Sequence, residues 1–271
     1  MEVEELWIHK PWEYNNDLKS LFLDGRITNH SISERLKIFL ENAYEAVKIA
    51  NKKNIKIYEP FKGLSFDNTI FILGPTTDFY KNLIPEFLNE KPNIFSATLE
   101  AFKDTIPITS TLFKDEILND NSTTSAKNNS SVICYFNIDN RTSLFTGDAG
   151  IKALNQIIDD PIILSFLNST LTMMQIPHHG SKNNIGPSIL NKLLGEPQNN
   201  NKEIVAIASC AKNSSKKHPH PAVTNAFKRR GAKIFTTQGL THCHSYNNSS
   251  NRQGWNKAKD VEFIEQYFIE S

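Results

Sequence analysis

Leu36, Phe39, Leu40, Ala43, Val47 and Ala50 recur at intervals of three and four, the spacing that lines up side chains on one face of a helix. Ser31 followed by Glu34 has capping-box spacing, so one amphipathic helix is predicted from Ser31 to about Asn54. Ahead of it, residues 4–9 read as a short strand, with Trp7, Pro11 and Trp12 beside its end. Beyond it, the β-rich runs at 55–60 and 69–75 are bounded by turn residues and predict two strands, and residues 78–89 predict a helix.

Residues 119–131 are almost purely polar and lack any period, which reads as a flexible loop within the domain rather than a linker between domains. After this loop the pattern resumes. Apolar runs at 131–138 and 142–147 are separated by Asp139, Asn140 and Arg141, the spacing of a hairpin. Helices at 149–158, 188–194 and 222–230 then alternate with strands at 170–177, 203–209 and 232–237. Strand alternating with helix predicts an α/β fold, and no internal repeat divides the chain, so residues 1–271 read as a single domain.

Composition narrows this picture only slightly. With 39% hydrophobic and 22% charged residues among 271, the chain can bury a sizeable core and is not a disordered polymer. Thirty Lys and Arg against 29 Asp and Glu give a net charge of +1, so no global field points to nucleic acid or a membrane. Cys134, Cys210 and Cys243 lack metal-ligand spacing and are odd in number, which reads as reduced thiols in a cytoplasmic protein. The acidic N-terminus and the lack of an apolar run of about 18 residues argue against export or membrane anchoring.

Candidate chemistry sits at the ends of the predicted strands. Thr146-Gly147-Asp148-Ala149 brings an aspartate out of an apolar run just before a helix, where Asp serves equally as a ligand or as a helix cap. In Ile176-Pro177-His178-His179-Gly180-Ser181 two imidazoles leave the next strand. Alternate side chains of a strand point to opposite faces, so both reach one place only if Gly180 turns the backbone; otherwise one is buried and the other solvated. His218-Pro219-His220-Pro221 opens a helix, where proline is favoured, and its histidines read as site groups or as solvated residues of a rigid helix entry. His242-Cys243-His244 has metal-capable atoms without a second pair at structural-zinc spacing, and reads as a surface loop.

Taken in order, Asn129-Ser130-Ser131-Val132, Phe145-Thr146-Gly147-Asp148, Pro177-His178-His179-Gly180-Ser181 and Lys217-His218-Pro219-His220 resemble the metallo-β-lactamase superfamily of metal-dependent hydrolases, and within it the ComEC-type competence branch. The stretch from Phe66 to Pro75 also looks like that branch's strand before the Gly-Asp hairpin. The resemblance implies an αββα sandwich around two divalent ions, Zn or Mn. It makes Asp148 the carboxylate that bridges them and makes the His178-His179 pair the source of the last imidazole, with both histidines standing as candidates. Asp148 and His179 are then the catalytic residues. A carboxylate can bridge two cations, and water held between ions roughly 3.5–4 Å apart becomes hydroxide near neutral pH, a nucleophile for ester hydrolysis. Such a centre requires Asp148 and both imidazoles to lie within about 8 Å of one another.

One departure from the family is plain. The superfamily's His-x-His-x-Asp-His signature is absent: neither His218-Pro219-His220 nor His242-Cys243-His244 is followed by Asp-His. The opening residues resemble the strand that follows that motif, which implies a chain lacking the N-terminal part of the first sheet. A truncated frame, one half of a split hydrolase completed by a second chain, and a metal-free pseudoenzyme all fit, and weak or absent ion binding by the chain alone is implied. For substrate, seven basic residues and no acidic one fall between Lys212 and Lys233. That run reads either as a solvated helix face or as a receptor for an anionic ester or nucleic acid, with Ser181, Lys217, His218 and His220 the candidate substrate-binding residues. The competing class is a non-catalytic interaction protein that docks a partner on its incomplete sheet edge.

Overall fold

Strand β1 (Glu5–Trp7) pairs in parallel with β2 (Lys56–Tyr58), and the chain between them is largely helical. This computed structural model describes residues 3–14, 18–22, 26–89, 108–110, 116–197, 203–212, 218–244 and 253–268. The single helix predicted from Ser31 is in fact two, α1 (Asn29–Phe39) and α2 (Glu41–Lys52). They part at Leu40, whose ψ of 38° leaves the helical range although its N–H still donates to the Leu36 carbonyl. Thr28, not Ser31, is the N-cap. Its hydroxyl accepts from Ser31 N–H at 3.1 Å while Ser31 Oγ accepts from Thr28 N–H at 3.1 Å, a reciprocal box closed by serine in the place usually held by glutamate. Glu34 instead pairs with Lys37 one turn on, at 2.7 Å.

Strands β3 (Ser65–Phe66) and β4 (Ile70–Gly74) form a short hairpin through Asp67 and Asn68, both in the left-handed region that Asp and Asn tolerate. Helix α3 (Thr77–Asn89) follows, and farther on lies β5 (Ile108–Ser110). The expected irregular loop at 119–131 contains a helical turn, α4 (Ala126–Asn129), capped by Ser125, with Ala126 and Asn129 buried. Its polar composition hid this because the turn is held by side-chain hydrogen bonds rather than by an apolar stripe. Strands β6 (Ile133–Ile138) and β7 (Arg141–Phe145) then form the predicted hairpin. Asp139 and Asn140 alone make the turn, at φ of 52° and 59°, so Arg141 joins the strand opposite Ile138.

From β7 the chain passes through α5 (Ile151–Ile158) and α6 (Pro161–Thr170) to β8 (Leu171–Gln175). Helix α6 has no counterpart in the sequence reading, although Asp160 before Pro161 marks its start: the Asp160 carboxylate accepts from Ile162 N–H and Ile163 N–H at 3.0 and 3.2 Å. Helix α7 (Pro187–Leu194) leads to β9 (Val205–Ala208), α8 (Pro221–Arg229) leads to β10 (Lys233–Thr236), and β11 (Gln266–Phe268) returns antiparallel to β5.

The large sheet is mixed, with seven strands in the order β10-β9-β8-β7-β6-β4-β3, parallel from β10 to β7 and antiparallel beyond. Because β7 to β10 are consecutive in both chain and sheet, right-handed crossovers put α5 to α8 on one face. Leu144, Met174, Ala206 and Ile234 align across the strands on that face and are fully buried with Ile189, Leu190, Val223 and Phe227 of the helices. The opposite face carries the row Ile70, Phe136, Ser143, Met173 and Val205. Among the described residues the remaining strands form two two-stranded ribbons, β1-β2 and β5-β11. No helix among the described residues is long and apolar enough to cross a membrane.

A second apolar cluster joins Trp12, Ile32, Leu36, Val47, Tyr80, Leu83, Ile84 and Phe87 from the N-terminal turn, α1, α2 and α3. His9 lies at its margin between the rings of Phe61 and Tyr80, with centroids 4.5 and 4.3 Å away, and neither ring nitrogen has a hydrogen-bond partner. Burial pushes its pKa from the ordinary 6.5 down to about 4, because an imidazolium loses its hydration there. Glu59 stands 4.0 Å away, its carboxylate already accepting from Tyr14 Oη and Lys10 N–H. Between pH 6.5 and 4 the unfolded chain therefore takes up a proton that the folded chain refuses. The stability that neutral His9 contributes is full above pH 6.5 and is lost as pH falls through 4, at most about 3 kcal/mol. His9→Leu is expected to flatten the pH dependence of the urea midpoint across that window, and an unchanged dependence would contradict it.

Candidate metal centre

Four parallel strands end on the same side of the sheet, and the segments that leave them meet there. Asp148 follows β7, His178 and His179 follow β8, Ser209 and Cys210 follow β9, and Thr237 follows β10. The crevice beyond the carboxyl ends of parallel strands is the usual ligand site of an open α/β sheet. One ligand atom each from Asp148, His178 and His179 lies within 4.8 Å of the others. Among the described residues this is the one such group of three metal-capable side chains.

The backbone explains how adjacent histidines serve one site. Pro177–Gly180 forms a tight helical turn in which His178 (φ 45°, ψ 55°), His179 (φ 57°, ψ 13°) and Gly180 (φ 87°) all take left-handed conformations. The turn replaces strand alternation, so the predicted role of Gly180 extends to the two residues before it. Its glycine is required. A Cβ on Gly180 would sit 2.5 Å from Pro219 Cβ and 2.9 Å from Pro219 Cα, and the Gly180 carbonyl accepts from His220 N–H at 2.9 Å. Gly180→Ala is expected to cost about 1–3 kcal/mol by overpacking and backbone strain and to separate the His178-His179 turn from the 218–221 segment. Guanidinium unfolding at wild-type midpoint would refute this.

Each candidate ligand is held by specific groups. His179 Nδ1 meets the Ser209 carbonyl oxygen. A carbonyl only accepts, so Nδ1 carries the proton and Nε2 keeps its lone pair for a cation, the usual arrangement of a metal-binding histidine. Cys210 Sγ donates to the His179 carbonyl at 3.4 Å, and burial pushes its thiol up to about 11, keeping it protonated. His178 Nδ1 stands 3.2 Å from Asp148 Oδ1. That imidazole holds the Asp148 carboxyl below the usual carboxylate range, against the opposing effect of partial burial. Asp148 N–H donates to Ser131 Oγ at 3.2 Å, and Asn184 Nδ2 donates to the Asp148 carbonyl at 2.9 Å.

These donors fit a divalent cation. Two ligand atoms each about 2.1 Å from one ion lie at most about 4.2 Å apart, so a spread of 4.8 Å closes with small side-chain rotations. A carboxylate with imidazole is a set that Zn and Mn accept. His179 is exposed and its two companions are half-buried, which leaves the far side of the cluster open to solvent.

The other candidates are distributed less simply. His218 is near, its ring centroid 6.2 Å from that of His178. His220 is the N-cap of α8, its Nδ1 accepting from Ala222 N–H at 3.1 Å. Ser181 is buried and closes the histidine turn: its N–H donates to the His178 carbonyl at 3.0 Å, and its Oγ accepts from Asn183 N–H. Lys217, with Ser214, Ser215 and Lys216, lies outside the described residues. Much of the expected basic run is engaged in packing. Lys228 pairs with Asp260, Lys233 with Glu203 at 3.2 Å, and Arg229 covers the Phe263 ring at 5.3 Å. Arg230 is fully buried, its guanidinium forked onto Glu116 at 2.8 Å from each terminal nitrogen. His242 Nε2 meets the Thr236 carbonyl at 2.7 Å. The sequence reading passed over Gln175, Asn184 and Ser209. Gln175 had a signal, a polar residue at the end of an apolar strand two places before Pro177, whereas Ser209 acts through its backbone and leaves none.

No family model matches the chain, and no solved structure matches it. It is similar to ComE operon protein 3 of Bacillus subtilis (strain 168), at 27% identity over 124 residues. The match takes in 45% of this chain and 14% of that protein's length.

Proposed function

We propose that Asp148, His178 and His179 bind a divalent cation, Zn or Mn, and that the chain is the metal-binding part of a hydrolase for an anionic ester, akin to the ComEC-type branch and competence-related. The observation that carries this reading is the convergence of three ligand atoms within 4.8 Å of one another at the carboxyl ends of β7 and β8. The partial match to ComE operon protein 3 supports the choice of branch.

Three protein ligands with an open position are the number used by catalytic zinc sites, so one ion per chain is the expected stoichiometry. When bound, the ion supplies a nucleophile by lowering the pKa of its water to near neutrality. The residues of the chain do the rest. Asp148 would neutralise cationic charge, His179 is fixed by Ser209 to present Nε2, and His178, its Nδ1 3.2 Å from Asp148 Oδ1, would add the third ligand. His218, whose ring centroid lies 6.2 Å from that of His178, is the residue proposed to contact a substrate oxygen. Phosphodiester or nucleic acid is the proposed substrate class.

Titration calorimetry with Zn²⁺ and Mn²⁺ tests the reading, with one ion per chain expected, bound weakly because the His-x-His-x-Asp-His ligands are absent. Little or no hydrolysis of a generic phosphodiester by this chain alone is expected, because the motif that supplies most ligands is absent. Failure of the chain to take up either ion would end the reading.

A further inference from the structure

We infer that Gln175 is a positioning residue that sets the Asp148 carboxylate against His178 and His179, an inference that rests on the metal-centre reading above. Gln175 ends β8, two residues before Pro177, and its side chain crosses to the neighbouring strand end. Its Oε1 accepts from two successive backbone donors, Thr146 N–H and Gly147 N–H, each at 3.1 Å. Its own carbonyl accepts from Thr146 Oγ1 at 3.1 Å. Thr146 is fully buried and Gly147 half-buried, so the Thr146 N–H in particular has no water to turn to, and leaving it unpaired would cost a desolvation penalty.

The consequence falls on the next residue. Gly147 is in the left-handed region at φ 54°, and a Cβ there would lie 3.2 Å from Ser131 Cβ. Its carbonyl accepts from His178 N–H at 3.0 Å. Gly147 is thus gripped on its N–H by Gln175 and on its carbonyl by His178, the former at the end of β8 and the latter in the turn that follows. One amide side chain thereby ties the loop bearing the carboxylate to the strand that delivers both imidazoles. A hydrophobic residue at 175 would satisfy the strand but release both donors, letting Gly147-Asp148 swing away from the histidines.

The test compares the wild type, Gln175→Leu, Gln175→Glu and a core control, Leu193→Ala in α7. Calorimetric titration with Zn²⁺ or Mn²⁺ and thermal unfolding are measured on each, and metal-free crystal structures are solved for the wild type and Gln175→Leu. Gln175→Leu is expected to bind the ion about 10- to 100-fold more weakly, the usual effect of removing a group that orients a ligand. Gln175→Glu, whose carboxylate accepts the same two N–H groups, is expected to restore wild-type affinity. Leu193→Ala should lower the unfolding midpoint without touching affinity, which separates positioning from general stability. Wild-type affinity in Gln175→Leu, or equal loss in the Glu variant, would overturn the inference. If the wild type itself takes up no ion, the metal-centre reading falls, and the crystal structures decide this one. Loss of the 3.2 Å approach between Asp148 and His178 in Gln175→Leu supports it, and its retention refutes it.

Discussion

Asp148→Asn is expected to lower divalent-cation affinity by roughly 100-fold or more while leaving the thermal midpoint almost unchanged. Asparagine keeps the shape of the side chain but removes the charge, and a neutral amide is a poor ligand for Zn or Mn beside two imidazoles. Removing groups that merely orient ligands costs about 10- to 100-fold, so loss of the one anionic ligand sets that figure as a floor. Stability should hold because Asp148 is 44% exposed and the contacts that fix its loop, Ser131 Oγ and Asn184 Nδ2, are made by its backbone. His179→Ala should match the loss of affinity for a different reason: it removes the imidazole whose tautomer the Ser209 carbonyl sets. Equal affinity in wild type and Asp148→Asn would show that any ion sits elsewhere.

The largest effect on stability is expected at Arg230, far from this chemistry. Its guanidinium is wholly buried, donates to both Glu116 oxygens and also donates to Asn191 Oδ1 and the Ala226 carbonyl. Arg230→Met removes the cation and leaves Glu116, 17% exposed, as an uncompensated carboxylate. Breaking a buried pair from one side costs about 3–5 kcal/mol, visible as a large drop in the denaturant midpoint. Removing both charges together, Arg230→Met with Glu116→Leu, should recover most of that loss, since the double change leaves no unpaired charge. A double variant as unstable as the single one would mean that the pair matters for packing rather than for charge balance.

Local elements with a strong period or an unambiguous turn were legible in the sequence. The β6-β7 hairpin, the parallel strands that alternate with α7 and α8, and the placement of Asp148 and the His178-His179 pair at successive strand ends all followed from patterning. Where polar groups set the structure, the pattern was silent. Leu40 breaks a helix that its apolar stripe would continue, α4 is built on a serine cap inside a polar run, and α6 hides behind an Asp-Pro pair between two apolar stretches. For Lys228, Arg230 and Lys233 of the basic run the missing information was of another kind. Charge counted along the chain says nothing about the acids that fold back from residues 116, 203 and 260 to meet it. Which histidine offers a free nitrogen was likewise beyond patterning, because the deciding group is the main-chain oxygen of Ser209.

The paired left-handed histidines carry one more implication, for how this sequence responds to selection. An L-residue held at φ 45° or 57° sits about 1 kcal/mol above glycine at the same position. Evolution toward heat endurance alone would therefore favour exchanging His178 or His179 for glycine, and a hardened descendant would gain robustness by surrendering an imidazole of the proposed metal centre.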